Sequence, residues 1–326
     1  MGASARALLQ ATLLSFDATP AESAGVALSY LHLFKDKSMS LWLDLLGAEI
    51  RYVDTKNFGT IRIAEAGKGN PETLILQHGI NGHLEAYAKN IVPLSKDFHV
   101  IAFDYVGQGL SSKPVREYNP IMLAEQLGEL MDALGIEKAH LSGESLGGWV
   151  SGHFAATNPH RVLRLMLNTA GGIPIVTEKG KQDLETFIGL NRRNIDNTPT
   201  YESVQARMHW LMHPSNRHLV DGELVDLRLR IYLRPESRAV LPKLNEILAH
   251  HDEYLIPLEK LPEGTLFLWT HDNPIHDTES VKAAQAKVPG SILYFMKGNA
   301  AHWPQYEAID EFNDVALKFF RTGTVG

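Results

Sequence analysis

Short, nearly unbroken apolar runs mark the chain from residue 73 onward. They are Thr73-Leu74-Ile75-Leu76-Gln77, His99-Val100-Ile101-Ala102-Phe103, Ala139-His140-Leu141-Ser142 and Leu163-Arg164-Leu165-Met166-Leu167-Asn168. Apolar on both sides rather than alternating, they predict strands covered on both faces. Helical spacing separates them, as in Met122 to Leu134, and strand–helix alternation implies a parallel sheet. Upstream, Glu49-Ile50-Arg51-Tyr52-Val53 and Thr60-Ile61-Arg62-Ile63-Ala64 flank Asn57-Phe58-Gly59, which predicts an antiparallel hairpin. The alternation stops after Gly171-Gly172. Residues 173–262 read as helical and polar, with prolines at 199, 214, 234, 242 and 257. Two further buried-type runs follow, Thr265 to Thr270 and Ser291 to Met296, and a helix from about Ile309 to Phe320 ends the pattern.

The expected architecture is therefore α/β, with a mostly parallel eight-stranded sheet flanked by helices. A core is expected over 49–172 and 263–326, and a helical lid over 173–262, inserted after the sixth strand. Residues 1–48 are expected to form a helical extension. Val26, Leu28, Leu31, Leu33 and Phe34 recur at helical intervals there, and Thr19-Pro20 resembles a helix start.

Composition narrows the function classes. Of 326 residues, 44% are hydrophobic and 21% charged, as in an ordinary globule. The net charge of -7 offers no basic footprint for nucleic acid. No run reaches the ~18 apolar residues of a membrane span, so no membrane partner is expected. The absence of cysteine removes disulfides, thiolate nucleophiles and cysteine-bound metals together. Ala7 to Leu14 is too short and interrupted for a secretory signal, and the expected location is cytoplasmic.

Gly143-Glu144-Ser145-Leu146-Gly147-Gly148 sits between an apolar run and a helical stretch. A strand turning straight into a helix forces its middle residue into a strained conformation, and bulk on either side would clash. Such a turn lifts the Ser145 hydroxyl above the sheet and aims a helix N-terminus at it. Serine then needs a base and a group to orient that base. His302 follows the last strand, in Gly298-Asn299-Ala300-Ala301-His302-Trp303-Pro304, and Asp272 follows the strand ending at Trp269-Thr270. Ser145, Asp272 and His302 thus fall at carboxyl ends of strands, where open α/β sheets place their chemistry. Asp277 is the second candidate acid, and His271 and His276 are read as bystanders.

These residues resemble an α/β-hydrolase-fold serine hydrolase over residues 49 to 321. Within it they are most similar to meta-cleavage-product hydrolases, which hydrolyse the carbon–carbon bond of ring-fission dienoates. The similarity is carried by His302-Trp303-Pro304-Gln305-Tyr306-Glu307 with Asp310-Glu311-Phe312-Asn313, by Thr198 to Val204, and by Gly222-Glu223-Leu224-Val225-Asp226-Leu227-Arg228. It implies that Arg228 acts on the charged dienoate end and that Trp303 lines the pocket. It further implies that the backbones of Ile80 and Leu146 form the oxyanion hole, and Asn81 is placed at the substrate. Self-association is common in the family, and a homo-oligomer is expected on that ground. Two departures lie beside the oxyanion site: Glu144 stands where asparagine is usual, and the loop His78 to His83 lacks the usual glycine-rich, proline-containing form. A Glu144 carboxylate there would be unfavourable unless turned away or neutralised, and resemblance to other serine hydrolases with Gly-Glu-Ser implies that it points into the structure.

Other features have plainer readings. His209 and His213 have metal-binding spacing, but no third ligand is evident, so lid packing is favoured and no metal is expected. His250-His251 reads as surface, and Asp104 to Ser112 as a structural turn. No nucleotide or phosphate cradle is present, so no cofactor is expected. A carboxylesterase or lactonase with the same triad, and a non-catalytic ligand-binding protein of this fold, remain the alternatives.

Overall fold

The computed structural model describes residues 40–326 except residue 221, so the helix reading at Val26 to Phe34 lies outside the described residues. A short helix, α1 (Leu41–Asp44), precedes the hairpin β1 (Glu49–Thr55) and β2 (Gly59–Ala66). Then come β3 (Thr73–Gln77), α2 (Ala88–Leu94), β4 (His99–Phe103), α3 (Pro120–Ala133), β5 (Ala139–Glu144), α4 (Leu146–Thr157) and β6 (Val162–Asn168). The sheet has eight strands in the order β1-β2-β4-β3-β5-β6, continuing to β7 (Leu266–Trp269) and β8 (Ile292–Phe295). β2 is antiparallel to both β1 and β4, and all later pairings are parallel.

Strand periodicity explains why both faces need cover. Ile75, Ile101 and Phe103 point into one apolar cluster with Leu127, Leu130 and Phe154 of α3 and α4. Leu74, Leu76, Val100 and Ala102 point into the other, with Ile91 of α2 and with Phe312 and Phe319 of the last helix. Each such buried side chain contributes about 1.5–3 kcal/mol relative to exposure.

Between β6 and β7 the chain forms α5 (Glu178–Asp196), α6 (Tyr201–Leu211), α7 (Gly222–Leu233) and α8 (Pro235–Ala249). Their starts are written locally. Thr177 accepts the Gly180 N–H at α5, Thr200 and Ser203 form a reciprocal capping box at α6, and Pro235 opens α8. After β7 come α9 (Thr278–Gln285), then β8, α10 (Pro304–Glu307) and α11 (Ile309–Thr322).

The turn from Asp104 is held by a buried ionic brace. Arg62 Nε donates to Asp104 Oδ2 and its Nη2 to Glu85 Oε2, both at 2.7 Å, while Asp104 also accepts the N–H groups of Leu84 and Leu110. The arginine and a neighbouring histidine hold the Glu85 carboxyl far below its usual range, against the opposing effect of burial.

Candidate active site

β5 ends at Glu144, and Ser145 begins the turn into α4 with φ 55° and ψ −115°. A positive φ at a non-glycine residue is strained, and the surroundings hold it there. The Ser145 N–H donates to the Asn168 carbonyl, and its own carbonyl accepts from Trp149 and Gly171. The flanking glycines are compelled by close approach. A Cβ at Gly143 would lie 2.0 Å from the Gly147 carbonyl carbon, and one at Gly147 would lie 2.2 Å from the Gln77 carbonyl oxygen.

His302 is buried beyond β8 in a loop tied at two points. Its N–H donates to the Leu211 carbonyl at the end of α6, and its carbonyl accepts the Thr169 hydroxyl. His302 and Ser145 line one cavity. The third position differs from expectation. Asp272 is exposed and lies 3.8 Å from His213 Nε2, so it is not the partner of His302. Asn273 is: its Oδ1 stands 2.7 Å from His302 Nδ1. The loop after β7 turns its side chains in succession, His271 stacking on Phe295, Asp272 to solvent and Asn273 inward. Asp277 is committed elsewhere, capping α9 through the Ser280 N–H and accepting the Thr177 hydroxyl.

The amide orientation fixes the tautomer. Asn273 Nδ2 donates to the His276 carbonyl at 2.7 Å, so Oδ1 faces the imidazole and accepts. The ring proton therefore sits on Nδ1, and Nε2 is bare, as a general base requires. Burial, reinforced by the charge of Arg207, pushes His302 down to about 3. No carboxylate offsets this at Nδ1.

Glu144 is buried behind the nucleophile. Its Oε2 accepts the Gly79 N–H at 2.8 Å, and its Oε1 lies 3.3 Å from His302 Nε2. Burial raises it to about 8 despite Gly79, Arg228 and Arg207, so it carries its proton at neutral pH. The expected clash with a developing oxyanion is thus relieved by neutralisation. Leu146 opens α4, leaving its N–H among the unbonded first-turn donors, and Ile80 lines the same cavity. His78 fixes the turn, its Nδ1 2.7 Å from the Gly79 carbonyl and its Nε2 accepting the Tyr105 N–H; burial lowers it to about 4.

Arg228 and Trp303 reach this cavity, the guanidinium carbon 5.1 Å from the indole centroid. Arg228 is fully buried, and among the described residues none of its three nitrogens meets an acceptor in good hydrogen-bonding geometry, although the Tyr232 hydroxyl lies close by. Burial and the nearby Arg207 charge, against opposing groups such as Tyr232, bring it down to about 10, so it remains a cation. Arg230 on the same helix is exposed. Asn81 acts as a loop brace. With φ 57°, it donates its N–H to Gln108 and its side-chain amide to Asn191, and its carbonyl accepts from the Tyr232 hydroxyl.

Besides Asn273, three residues at the site were not assigned to it from sequence. Arg207 on α6 lines the cavity, donates Nε to Asn191 Oδ1 at 2.7 Å and Nη2 to the Ile80 carbonyl at 3.1 Å, and leaves Nη1 unpartnered. Its signal was an arginine between Val204 and Leu211, interrupting an apolar helical stripe. His251, read as surface, and His276, read as a bystander, are both buried in the cavity wall. His209 instead bonds the Val220 carbonyl, and His213 the Ser215 hydroxyl.

The cavity consists of two small adjoining pockets that share Ile80, Ser145, Phe187 and His302. One half is polar, with His78, Glu144, Arg207 and Arg228. The other is mostly apolar, with Leu146, Trp149, Leu184, Ile247, Leu248 and Ile275.

A family model described as "alpha/beta hydrolase fold" matches residues 72–309. The 2-hydroxy-6-oxononadienedioate/2-hydroxy-6-oxononatrienedioate hydrolase of Comamonas testosteroni is 26% identical over 293 residues, spanning 83% of this chain and 95% of the relative. A solved meta-cleavage product hydrolase from Pseudomonas fluorescens IP01 is 26% identical with a TM-score of 0.69, covering 86% of this chain and all 100% of its own. A bacterial membrane phospholipase A shares the fold at TM-score 0.72 and 24% identity, covering 98% of each chain. Among the described residues of this chain, no helix is long and apolar enough to cross a membrane. The matched model covers most of the sequence and includes the elbow, the histidine loop and the helices between β6 and β7, so the chain belongs to the α/β-hydrolase fold family.

Proposed function

We propose that the protein is a cofactor-independent hydrolase that cleaves the carbon–carbon bond of a meta-ring-fission dienoate, with Ser145, His302 and Asn273 as its reacting set. The observation that carries this reading is the unpaired, fully buried Arg228 guanidinium in the cavity of Ser145. A buried cation without a partner costs several kcal/mol, and an anionic ligand is what offsets that cost. The polar half takes the carboxylate end of the dienoate, and the apolar half takes the acyl end.

Arg228 holds the carboxylate and draws charge toward it. A carbanion leaves poorly, so the dienol is first ketonised: the bare His302 Nε2 takes the enol proton and returns it to the carbon that will leave. Ser145, or water activated with it, then attacks the ketone while His302 Nε2 takes the proton. The N–H groups of Leu146 and Ile80 face the oxyanion. The carbon–carbon bond breaks with its electrons delocalised into the dienoate, which takes up the proton held on His302. Where Ser145 was the nucleophile, a water deprotonated by His302 then hydrolyses the acyl-enzyme and the proton returns to Ser145. The helices between β6 and β7 serve as the lid.

An ester hydrolase with the same nucleophile needs neither ketonisation nor a buried cation, and Arg228 weighs against it. The deciding test follows the visible absorbance of a yellow ring-fission dienoate. Loss of colour at wild-type protein, and its persistence with Ser145→Ala, is the expected result. Persistence of colour with wild type, while a p-nitrophenyl ester is turned over, overturns the reading.

A further inference from the structure

The apolar half of the cavity contains one polar feature that the proposed reaction does not use. His251 and His276 face each other there with their Nε2 atoms 3.0 Å apart, so one proton lies between them. Where that proton sits follows from the next contact. His251 Nδ1 lies 2.9 Å from Oδ1 of Asp252, a side chain 89% exposed whose carboxyl oxygen is the acceptor of this contact. His251 accordingly carries its proton on Nδ1. Burial holds both rings below their ordinary range and therefore neutral, with the Asp252 charge opposing this only in part for His251. A neutral His251 leaves its Nε2 bare, so His276 donates from Nε2. The remaining nitrogen, His276 Nδ1, is a bare acceptor, buried and without a partner among the described residues.

The ring has little freedom to find one. The His276 carbonyl accepts both Trp269 Nε1 and Asn273 Nδ2 at 2.7 Å, which pins the backbone, and His251 holds the far side of the ring. Leaving such an acceptor unsatisfied costs about 1–3 kcal/mol. From this geometry we infer that the acyl group taken by the apolar half carries a hydrogen-bond donor, a hydroxyl or amino substituent, which His276 Nδ1 accepts. The substrate class narrows from apolar acyl groups in general to hydroxylated or aminated ones. The inference rests on Ser145 as the nucleophile and on the apolar half as the acyl site, but it does not depend on which bond is broken.

The test uses p-nitrophenyl esters of benzoic, hydroxybenzoic and methoxybenzoic acids, with the substituent at each ring position, and ring-fission dienoates bearing the same aryl groups. A methoxy group accepts but cannot donate. The expected result is a kcat/KM at least about tenfold higher for one hydroxy isomer than for its methoxy counterpart. His276→Phe should bring that ratio to within about twofold, with each substituted rate normalised to the same variant's rate on the unsubstituted benzoyl substrate, whatever that rate becomes. His251→Phe, which frees the His276 tautomer, should shrink the ratio as well. No hydroxy preference in the wild type, or a preference that survives in His276→Phe, overturns the inference. Hydroxy preference on esters with dienoates untouched would sink the carbon–carbon reading and leave this one standing. Should neither substrate class turn over, calorimetric binding of hydroxybenzoate against methoxybenzoate reads the same contact, and equal affinities overturn it.

Discussion

Asn273 Oδ1 stands 2.7 Å from His302 Nδ1, where a serine hydrolase ordinarily places a carboxylate. The amide does half of a carboxylate's work. It selects the tautomer with a bare Nε2, but it cannot stabilise the imidazolium that forms when Ser145 gives up its proton. Asn273→Asp should therefore raise the His302 pKa from about 3 toward its usual range. Fluorophosphonate labelling of Ser145 at pH 7 should speed up by about tenfold or more, since a carboxylate stabilises the charged base. Asn273→Leu removes the tautomer lock and should slow labelling by about a hundredfold. Equal rates in wild type and Asn273→Asp would show that His302 draws its charge compensation from another group.

Arg228 and Arg207 share a cavity but are held differently, and that separates their roles. Among the described residues Arg228 has the Trp303 ring beside it but no carboxylate ion pair and no hydrogen bond of good geometry, so Arg228→Met should raise stability by about 1 kcal/mol or more, as measured by urea unfolding. The same variant should lose about a hundredfold or more in dienoate turnover and much less in p-nitrophenyl ester hydrolysis. Arg207 clamps the Ile80 carbonyl and Asn191. Arg207→Met should slow both reactions together, by about tenfold to a hundredfold, because it loosens one side of the oxyanion site. An ester rate that falls as far as the dienoate rate in Arg228→Met would assign Arg228 to the fold rather than to the substrate.

The contrast between Asp272 and Asn273 shows where the sequence stops informing. Strand runs such as Leu74 to Leu76 are legible because burial on both faces leaves no polar position to confuse the pattern. Ser145 is legible because the glycines at 143 and 147 are demanded by backbone contact. His302 is legible from its place after the last strand. The acid position is read from residue type and place after the strand, which point to Asp272 and then Asp277 and give no reason to consider an amide. What decides between adjacent loop residues is one step of rotation, set by the His271 ring on Phe295 and by the His276 carbonyl, and neither contact leaves a trace in spacing. Arg207 and the pair His251–His276 escaped for a related reason. Each is a polar residue whose burial depends on how distant helices pack over the sheet.

Glu144 and the buried histidines make opposite demands on pH. Glu144 keeps its proton up to about 8 when folded, against an ordinary carboxyl value of 4.5. The folded state therefore holds the extra proton between those values. That contribution is fully present below the unfolded value and disappears as pH rises through 8. His302 at about 3 and His78 at about 4 are depressed from 6.5. Their contribution is present above 6.5 and is lost as pH falls toward 4 and then 3. Stability to urea should thus fall off on both sides of a maximum at mildly acidic to neutral pH. Glu144→Gln keeps an acceptor for the Gly79 N–H and has no proton to lose. Its unfolding midpoint should decline less than that of the wild type between pH 6 and pH 9, while the acid limb stays unchanged. An alkaline decline of equal steepness in the two proteins would mean that Glu144 is already ionised in the folded state at neutral pH, and that the two arginines rather than burial set its charge.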